Sequence, residues 1–218
     1  MHDLKKFYLI LLLAIVVASA IFSFQLIKAR KITIKPVVVP ILSDGYYEIS
    51  TENDDQILGN PGAPLTVVMF TNFSCPACKS QYLEVTNFVK AHPFDVRLFL
   101  KEVPQKKIFT KSNDLANRAL FCANKQNKYW EYADALYNQK NISSESDLVK
   151  IGGNLKLNTA NLWHCVNSNE ASQKVARATD QAVVLGIKQY PTIYVNNKRI
   201  NIENDINITE ILTKLIVK

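Results

Sequence analysis

After residue 35 the chain has no basic run longer than Lys106-Lys107, and it has no internal repeat, no low-complexity tract and only three histidines. Each absence removes a class of function. Of 26 Lys/Arg and 19 Asp/Glu, six basic residues and one acidic residue fall within residues 1–35, leaving 20 against 18 in the remainder. The formal charge of +7 therefore does not build the basic surface that nucleic acid requires. Zinc needs four ligands, and beyond the close pair Cys75 and Cys78 the candidates Cys122, Cys165, His92 and His164 form no second close pair. No metal and no cofactor are expected. What is present, 218 residues with 48% hydrophobic and 21% charged side chains, suits a globular domain with an appendage.

The appendage is N-terminal. From Phe7 to Ile27 no residue is charged, and the stretch LILLLAIVVASAIF within it is long enough as a helix to cross roughly 30 Å of hydrocarbon. It fits an uncleaved signal anchor, or a signal peptide with Lys5 and Lys6 as its basic end and Ala18-Ser19-Ala20 as the cleavage site. We favour the anchor, because the apolar run continues through Ile21, Phe22 and Phe24, beyond that site. Lys28, Arg30, Lys31 and Lys35 outnumber the basic residues before the span, so a literal positive-inside count opposes export. The cysteines argue for export. Residues 28–58, with Pro36, Pro40 and an acidic, polar patch from Asp44 to Asp55, read as a tether with short extended candidates at Lys35 to Val39 and Tyr46 to Ser50.

The remainder alternates elements. Leu65 to Thr71 (LTVVMFT) is apolar and β-branched, as expected of a strand buried on both faces, and Pro76 to Ala91 follows as a helix ended by His92-Pro93. Phe94 to Glu102 is a second strand, which completes a βαβ unit and predicts a parallel pair. Helices are expected around Leu115 to Ala123, at Lys128 to Asn138, Glu145 to Gly152 and Thr159 to Val166, and on a longer element with Ala171, Val175, Ala178 and Ala182 facing inward. Pro191 to Val195 and Arg199 to Asn201 form a hairpin around Asn196-Asn197. Ile208, Ile211, Leu212, Leu215 and Ile216 mark a final amphipathic helix.

Cys75-Pro76-Ala77-Cys78 falls where the first strand ends and its helix begins. At a helix N-terminus the unpaired N–H groups and the dipole favour thiolate over thiol, so Cys75 is the expected nucleophile and Cys78, one turn inward, the resolving thiol. A purely structural bond is the bland alternative, although so small a loop would stabilise little. Cys122 and Cys165 each lie on the apolar face of a helix, and we read them as a structural disulfide. Closing about 43 residues contributes roughly 4 kcal/mol in the chain-entropy model. Two buried free thiols, or a second redox pair, are the alternatives. Four pairable cysteines fit an oxidising compartment.

From about Asp55 to Lys218 the chain resembles the DsbA-like thiol:disulfide oxidoreductases, which are thioredoxin-fold proteins with an inserted helical domain. The stretches DQILGNPGAPLTVVMFTNFSCPAC, ALFCANKQNKYWEYADALY, LWHC and GIKQYPTIYVNNKRI carry the resemblance. It implies an α/β thioredoxin-like domain over residues 59–109 and 169–218, a helical insert over 110–168, the tether over 28–58 and the membrane or signal segment over 1–27. It also implies that Pro191 is cis beside the disulfide, supported by Pro76 and Ala77, and that Tyr190 and Pro191 receive an extended substrate. From sequence alone Pro191 fits an ordinary strand-start proline, which is the more common situation.

Three departures stand out. Strongly oxidising relatives have His at the position of Ala77, which implies a weaker oxidant here; about 150 mV, or roughly 7 kcal/mol, separates thioredoxin from the strongest oxidant. Many relatives have a buried Glu, thought to relay protons, at the position of Met69, and a smaller Val or Thr at that of Tyr190.

The expected function is an extracytoplasmic, membrane-tethered monomer that introduces disulfides into exported cysteine-containing proteins and is recycled by a membrane redox partner. Cleavage after Ala20 would give a secreted soluble form. A reductase or isomerase using the same site is the alternative, and a redox-inert chaperone or protein-binding module a more distant one. Residues 28–58 are too short for the substantial dimerisation domain of a dimeric isomerase. Asn72-Phe73-Ser74, Asn141-Ile142-Ser143 and Asn207-Ile208-Thr209 match the glycosylation pattern without further support. Tyr129, Trp130, Tyr132 and Tyr137 are expected in the core of the insert.

Overall fold

The computed structural model describes Tyr8, Leu12, Leu13, 15–19, Phe22, 41–42, 46–52, 54–104, 114–139, 144–201 and 207–217. The chain divides into two units, Met1–Val38 and Val39–Lys218. In the first, the described residues between Tyr8 and Phe22 are helical and exposed. Most of the Phe7 to Ile27 segment, the cleavage-site residue Ala20 and the candidate strand Lys35 to Val39 lie outside the described residues. Among the described residues no helix is long and apolar enough to cross a membrane.

The second unit is built on one seven-stranded sheet in the order β1-β2-β7-β6-β4-β5-β3. Its strands are β1 (Ile41–Leu42), β2 (Tyr46–Tyr47), β3 (Ile57–Leu58), β4 (Leu65–Thr71), β5 (Val96–Glu102), β6 (Thr192–Val195) and β7 (Lys198–Ile200). Central strand β4 alternates between two cores. Val67 and Met69 pack with helix α1 (Pro76–Ala91), whereas Val68 and Phe70 pack with Phe99, Ala182, Leu185 and Tyr194 on the other face. Burial on both faces is why the strand carries no polar alternation. β5 runs parallel to β4 and β6 antiparallel, pairing Phe70 with Thr192. That register brings the residues just before β6 alongside those just after β4. Asn196 and Asn197 take φ of 47° and 67° in the β6–β7 turn, a conformation asparagine tolerates.

The described residues within 41–58 depart from the tether expected of them. β1, β2 and β3 extend both sides of the sheet, and Ile49 is buried against Val68 and Phe70. Backbone carbonyls, which carry no sequence signal, fasten this segment: Trp130 Nε1 donates to Ile57 O at 3.3 Å and Gln181 Nε2 to Ser50 O at 2.7 Å. Gly59 follows, with φ of 92°. A Cβ there would meet Val96 O at 2.4 Å, so no other residue fits the entry to β4.

Between β5 and β6 lie α2 (Leu115–Asn124), α3 (Tyr129–Asn138), α4 (Glu145–Asn154), α5 (Thr159–Val166) and α6 (Asn169–Val184); α7 (Ile208–Ile216) closes the chain. Ser144 opens α4 with a reciprocal capping box to Asp147, and Ser168 caps α6. Ala119, Cys122 and Ala123 of α2 are buried, as are Leu162 and Val166 of α5, and a Cys122–Cys165 disulfide joins these two helices across their packed faces. Its removal in a Cys122→Ala/Cys165→Ala variant is expected to lower unfolding free energy by about 2–5 kcal/mol. Chemical denaturation checks this, and a loss below about 1 kcal/mol would mean the bond is not structural.

Candidate active site

The site is assembled at the end of β4. Asn72, buried, directs its side-chain amide to Val103 O at 2.7 Å and accepts from Ser74 N at 2.8 Å, while its carbonyl accepts from Cys75 N at 3.2 Å. This one side chain fixes the loop between β4 and α1 to the end of β5. Cys75 is the N-cap of α1, with Pro76 in the first turn, where its missing N–H is no loss. Its Sγ accepts from Cys78 N at 3.1 Å, so the sulfur sits against an otherwise unpaired amide.

Cys75 and Cys78 form a disulfide. Cys75 is half-buried, Pro76 and Ala77 are exposed, and Cys78 is fully buried among Tyr82, Val85 and the sheet residues of the same core. The Tyr190–Pro191 peptide is cis, and the Tyr190 carbonyl oxygen lies 3.6 Å from Cys75 Sγ. The antiparallel β4–β6 register thus brings Tyr190, 115 residues away in sequence, onto Cys75. Cys75 opens on a cleft of about 410 Å³ whose walls include Asn72, Ser74, Thr179, Val183, Ile187 and Tyr190. Val183 is exposed there, and Tyr190 is partly buried.

Beneath the loop is a layer of aromatic and polar groups. The Tyr137 ring stacks on Tyr82 with centroids 4.1 Å apart and meets Phe73 at 5.0 Å. Its hydroxyl is shared between Thr71 Oγ1 at 2.9 Å and the Glu102 carboxylate. Burial pushes the Glu102 carboxyl up to about 8, although the Tyr137 hydrogen bond opposes this. Thr71 and Glu102 are register partners at the ends of β4 and β5. Sequence reasoning missed both Asn72 and Glu102. Met69 is buried among apolar residues.

The carboxylates of Glu52, Asp54 and Asp55 converge as metal ligands would. The Lys174 ammonium, however, lies 3.0, 2.5 and 2.9 Å from them, so the protein supplies its own cation.

A cysteine pair capping the helix that follows a central strand, faced by a cis-proline, defines a disulfide-exchanging protein of thioredoxin fold. The sequence pattern described as thioredoxin matches residues 51–215, and the chain belongs to that family. It is 29% identical over 170 residues to a probable disulfide bond formation protein D of Bacillus cereus, covering 72% of this chain and 77% of that protein. It is also 27% identical over 148 residues to a Na(+)/H(+) antiporter NhaA 1 of Mycolicibacterium gilvum, covering 66% of this chain but only 24% of that much longer protein. Among solved structures, a thioredoxin-like oxidoreductase from Silicibacter pomeroyi superposes with a TM-score of 0.64 at 27% identity, over 75% of this chain and 91% of that one. Oxidised BdbD from Bacillus subtilis shares the fold, with a TM-score of 0.63 at 24% identity over 76% of this chain and 94% of that one. The family model and these likenesses agree on a thioredoxin-fold protein that carries a close cysteine pair at the end of a central strand.

Proposed function

We propose that the protein is an extracytoplasmic oxidase that donates the Cys75–Cys78 disulfide to exported proteins containing reduced cysteines, held at the membrane by its Phe7 to Ile27 segment and reoxidised by a membrane redox partner. The observation that carries this reading is the asymmetry of the pair. Cys75 is accessible at a helix N-terminus and borders an open cleft, while Cys78 is sealed beneath it. An incoming thiolate reaches Cys75 and not Cys78, so the mixed disulfide forms at Cys75 and Cys78 departs. Tyr190 and Pro191 hold the extended substrate, and Pro76 and Ala77 shape the turn. Cys122–Cys165 serves as the structural bond and supports an oxidising compartment. The helices within 110–168 act as a domain inserted into the thioredoxin-like unit of 59–109 and 169–218. The disulfide bond formation protein D of Bacillus cereus favours the donor role by its name.

One observation favours a reductase or isomerase instead. Ala77 is exposed and brings neither a charge nor a side-chain donor to Cys75. The reduction potential of the full chain, titrated against glutathione and read by mass-labelling of Cys75/Cys78 separately from Cys122/Cys165, decides between them. We expect a value nearer the roughly −120 mV of strong oxidants. A value near about −270 mV, typical of thioredoxin, would make reduction the task.

A further inference from the structure

We propose that Ile49 and Gln181 are positioning residues for client binding, through which the segment around Ser50 sets the wall of the cleft beside Cys75. The proposal rests on disulfide exchange at Cys75 and Cys78, and on that cleft as the place where an extended client lies.

Two neighbouring pieces of chain make the wall. Thr179 and Val183, one turn apart on α6, line it, and Ile187 and Tyr190 continue it toward the cis peptide. Short hydrogen bonds couple the pieces. Gly186 takes φ of 63° and ends the helix, Ile187 N returns to Ala182 O at 2.9 Å, and Thr192 Oγ1 donates to Gln189 O at 2.8 Å. A shift at the end of α6 is therefore passed on to Tyr190, whose carbonyl oxygen lies 3.6 Å from Cys75 Sγ.

The apolar hold of α6 is thin. Of its 16 residues only Ala171, Val175 and Ala182 are buried, and two of these offer a single methyl group. Its position depends on further contacts. Lys174, Arg177 and Gln181, spaced three and four apart, form a polar stripe along the helix, and each is bonded to the segment that precedes β3. Lys174 meets Glu52, Asp54 and Asp55, Arg177 Nε lies 3.0 Å from the Glu52 carboxylate, and Gln181 Nε2 donates to Ser50 O at 2.7 Å. Of the three, Gln181 is nearest in sequence to the cleft residues.

Ile49 supplies the apolar part of the support. It is buried in a cluster with Val103, Ala182, Leu185 and Ile187, and Tyr190 packs against that cluster. Val103 and Ile187 also line the cleft, so one cluster joins Ile49 to the surface a client meets. Tyr47, two residues earlier, gives its N–H to Asn197 O at 2.8 Å and sets its ring edge-on to Tyr194, which ties the support to the sheet.

The test compares two dithiols as reductants of the oxidised full chain: a short reduced peptide with two cysteines, which fills the cleft, and dithiothreitol, which needs only Cys75. Single-turnover rates are read by acid quench and mass-labelling of Cys75 and Cys78. We expect Ile49→Ala to raise the half-saturating peptide concentration by about tenfold and Gln181→Met by about threefold, short of the ~10²-fold that a 1 Å misplacement costs. The limiting rate with peptide and the rate constant with dithiothreitol should stay at their wild-type values. Ile49→Val, which keeps most of the buried volume, should restore the peptide midpoint. Unchanged midpoints in both variants overturn the proposal. So does a parallel loss with both dithiols, which would mean a general loosening of the site, or a wild-type rate that never saturates with peptide. Should Ile49→Ala fail to fold, Gln181→Met decides alone, because its bond to Ser50 is exposed and its loss leaves the carbonyl to water. If wild type transfers its disulfide to neither dithiol, the exchange reading itself fails and takes this proposal with it.

Discussion

Cys75→Ala is expected to abolish disulfide transfer to a reduced, unfolded test protein, and Cys78→Ala to leave the first attack intact while stranding the product as a covalent adduct. Losing a nucleophile outright lowers turnover by up to ~10⁶-fold in other enzymes, so a fall on the order of 10³-fold or more is expected for Cys75→Ala. The reasoning is geometric. Cys75 sits at the N-cap of α1, where dipole and free amides contribute up to ~2 kcal/mol to an anion. Cys78 is fully buried and cannot substitute for it. In the Cys78→Ala protein Cys75 still forms the mixed disulfide, but the intramolecular thiol that would release it is gone. Transfer assays and mass spectrometry of the adduct check both halves. Full retention of cellular function by Cys75→Ala would instead favour a redox-inert chaperone or binding module.

The second large effect concerns the ions that fasten residues 52–55. Asp55 and Lys101 are paired with side chains only 6% and 5% exposed, and Lys174 bonds the same carboxylate from α6. Asp55→Ala strands a buried ammonium, and breaking a buried pair in this way typically destabilises by about 3–5 kcal/mol. For a chain of this size that lowers Tm on the order of 10 °C. Scanning calorimetry would show it, and a shift of a degree or less would mean that Lys101 finds water instead.

The pH dependence follows from the same partners. Burial raises the Asp55 carboxyl, but Lys101 and Lys174 outweigh it and hold it below its ordinary 3.8; Asp54 is also lowered. Their stabilisation is complete above the ordinary value and is lost as pH falls through the folded one. Lys174 is disfavoured by burial yet held above its ordinary 10.5 by Asp54, Asp55 and Glu52, so its contribution disappears only as pH rises past that value. The fastening should hold between these limits and fail in acid first, and Asp55→Asn should blunt the acid transition.

The parts legible in the sequence are those whose signal is local. β4 and α1 announce themselves through an apolar β-branched run followed by a cysteine-capped, proline-started helix, and their boundaries, Leu65–Thr71 and Pro76–Ala91, match the expected ones. Ile57–Leu58 is too short to display any period, and its place is set by register with Phe99 and Leu98. Asn72 reads as one more polar loop residue until β5 brings Val103 O to its amide. Lys101 and Glu102 follow the apolar run Leu98 to Leu100 at the end of β5, and lysine and glutamate in such a position suggest a solvent-exposed end. Both are buried, because their partners, Asp55 and Tyr137, come from 46 and 35 residues away. Tyr190 and Pro191 occupy the middle ground: local sequence suggests only a strand start, the family resemblance suggests a cis-proline beside the disulfide, and the β6 register brings Tyr190 O to 3.6 Å from Cys75 Sγ.

The two-residue strands at the margins of the sheet bear on the company this protein keeps. An unfolded client carries unpaired backbone amides that will add to any open strand edge, and long flat edges are how such encounters become aggregates. Here the sheet ends in β1 on one side and β3 on the other, each two residues long. Neither gives a client strand enough length to zip onto. On the reading proposed above, a client engaged beside Tyr190 meets only these two-residue strands at the described ends of the sheet, which favours brief contact over lasting addition.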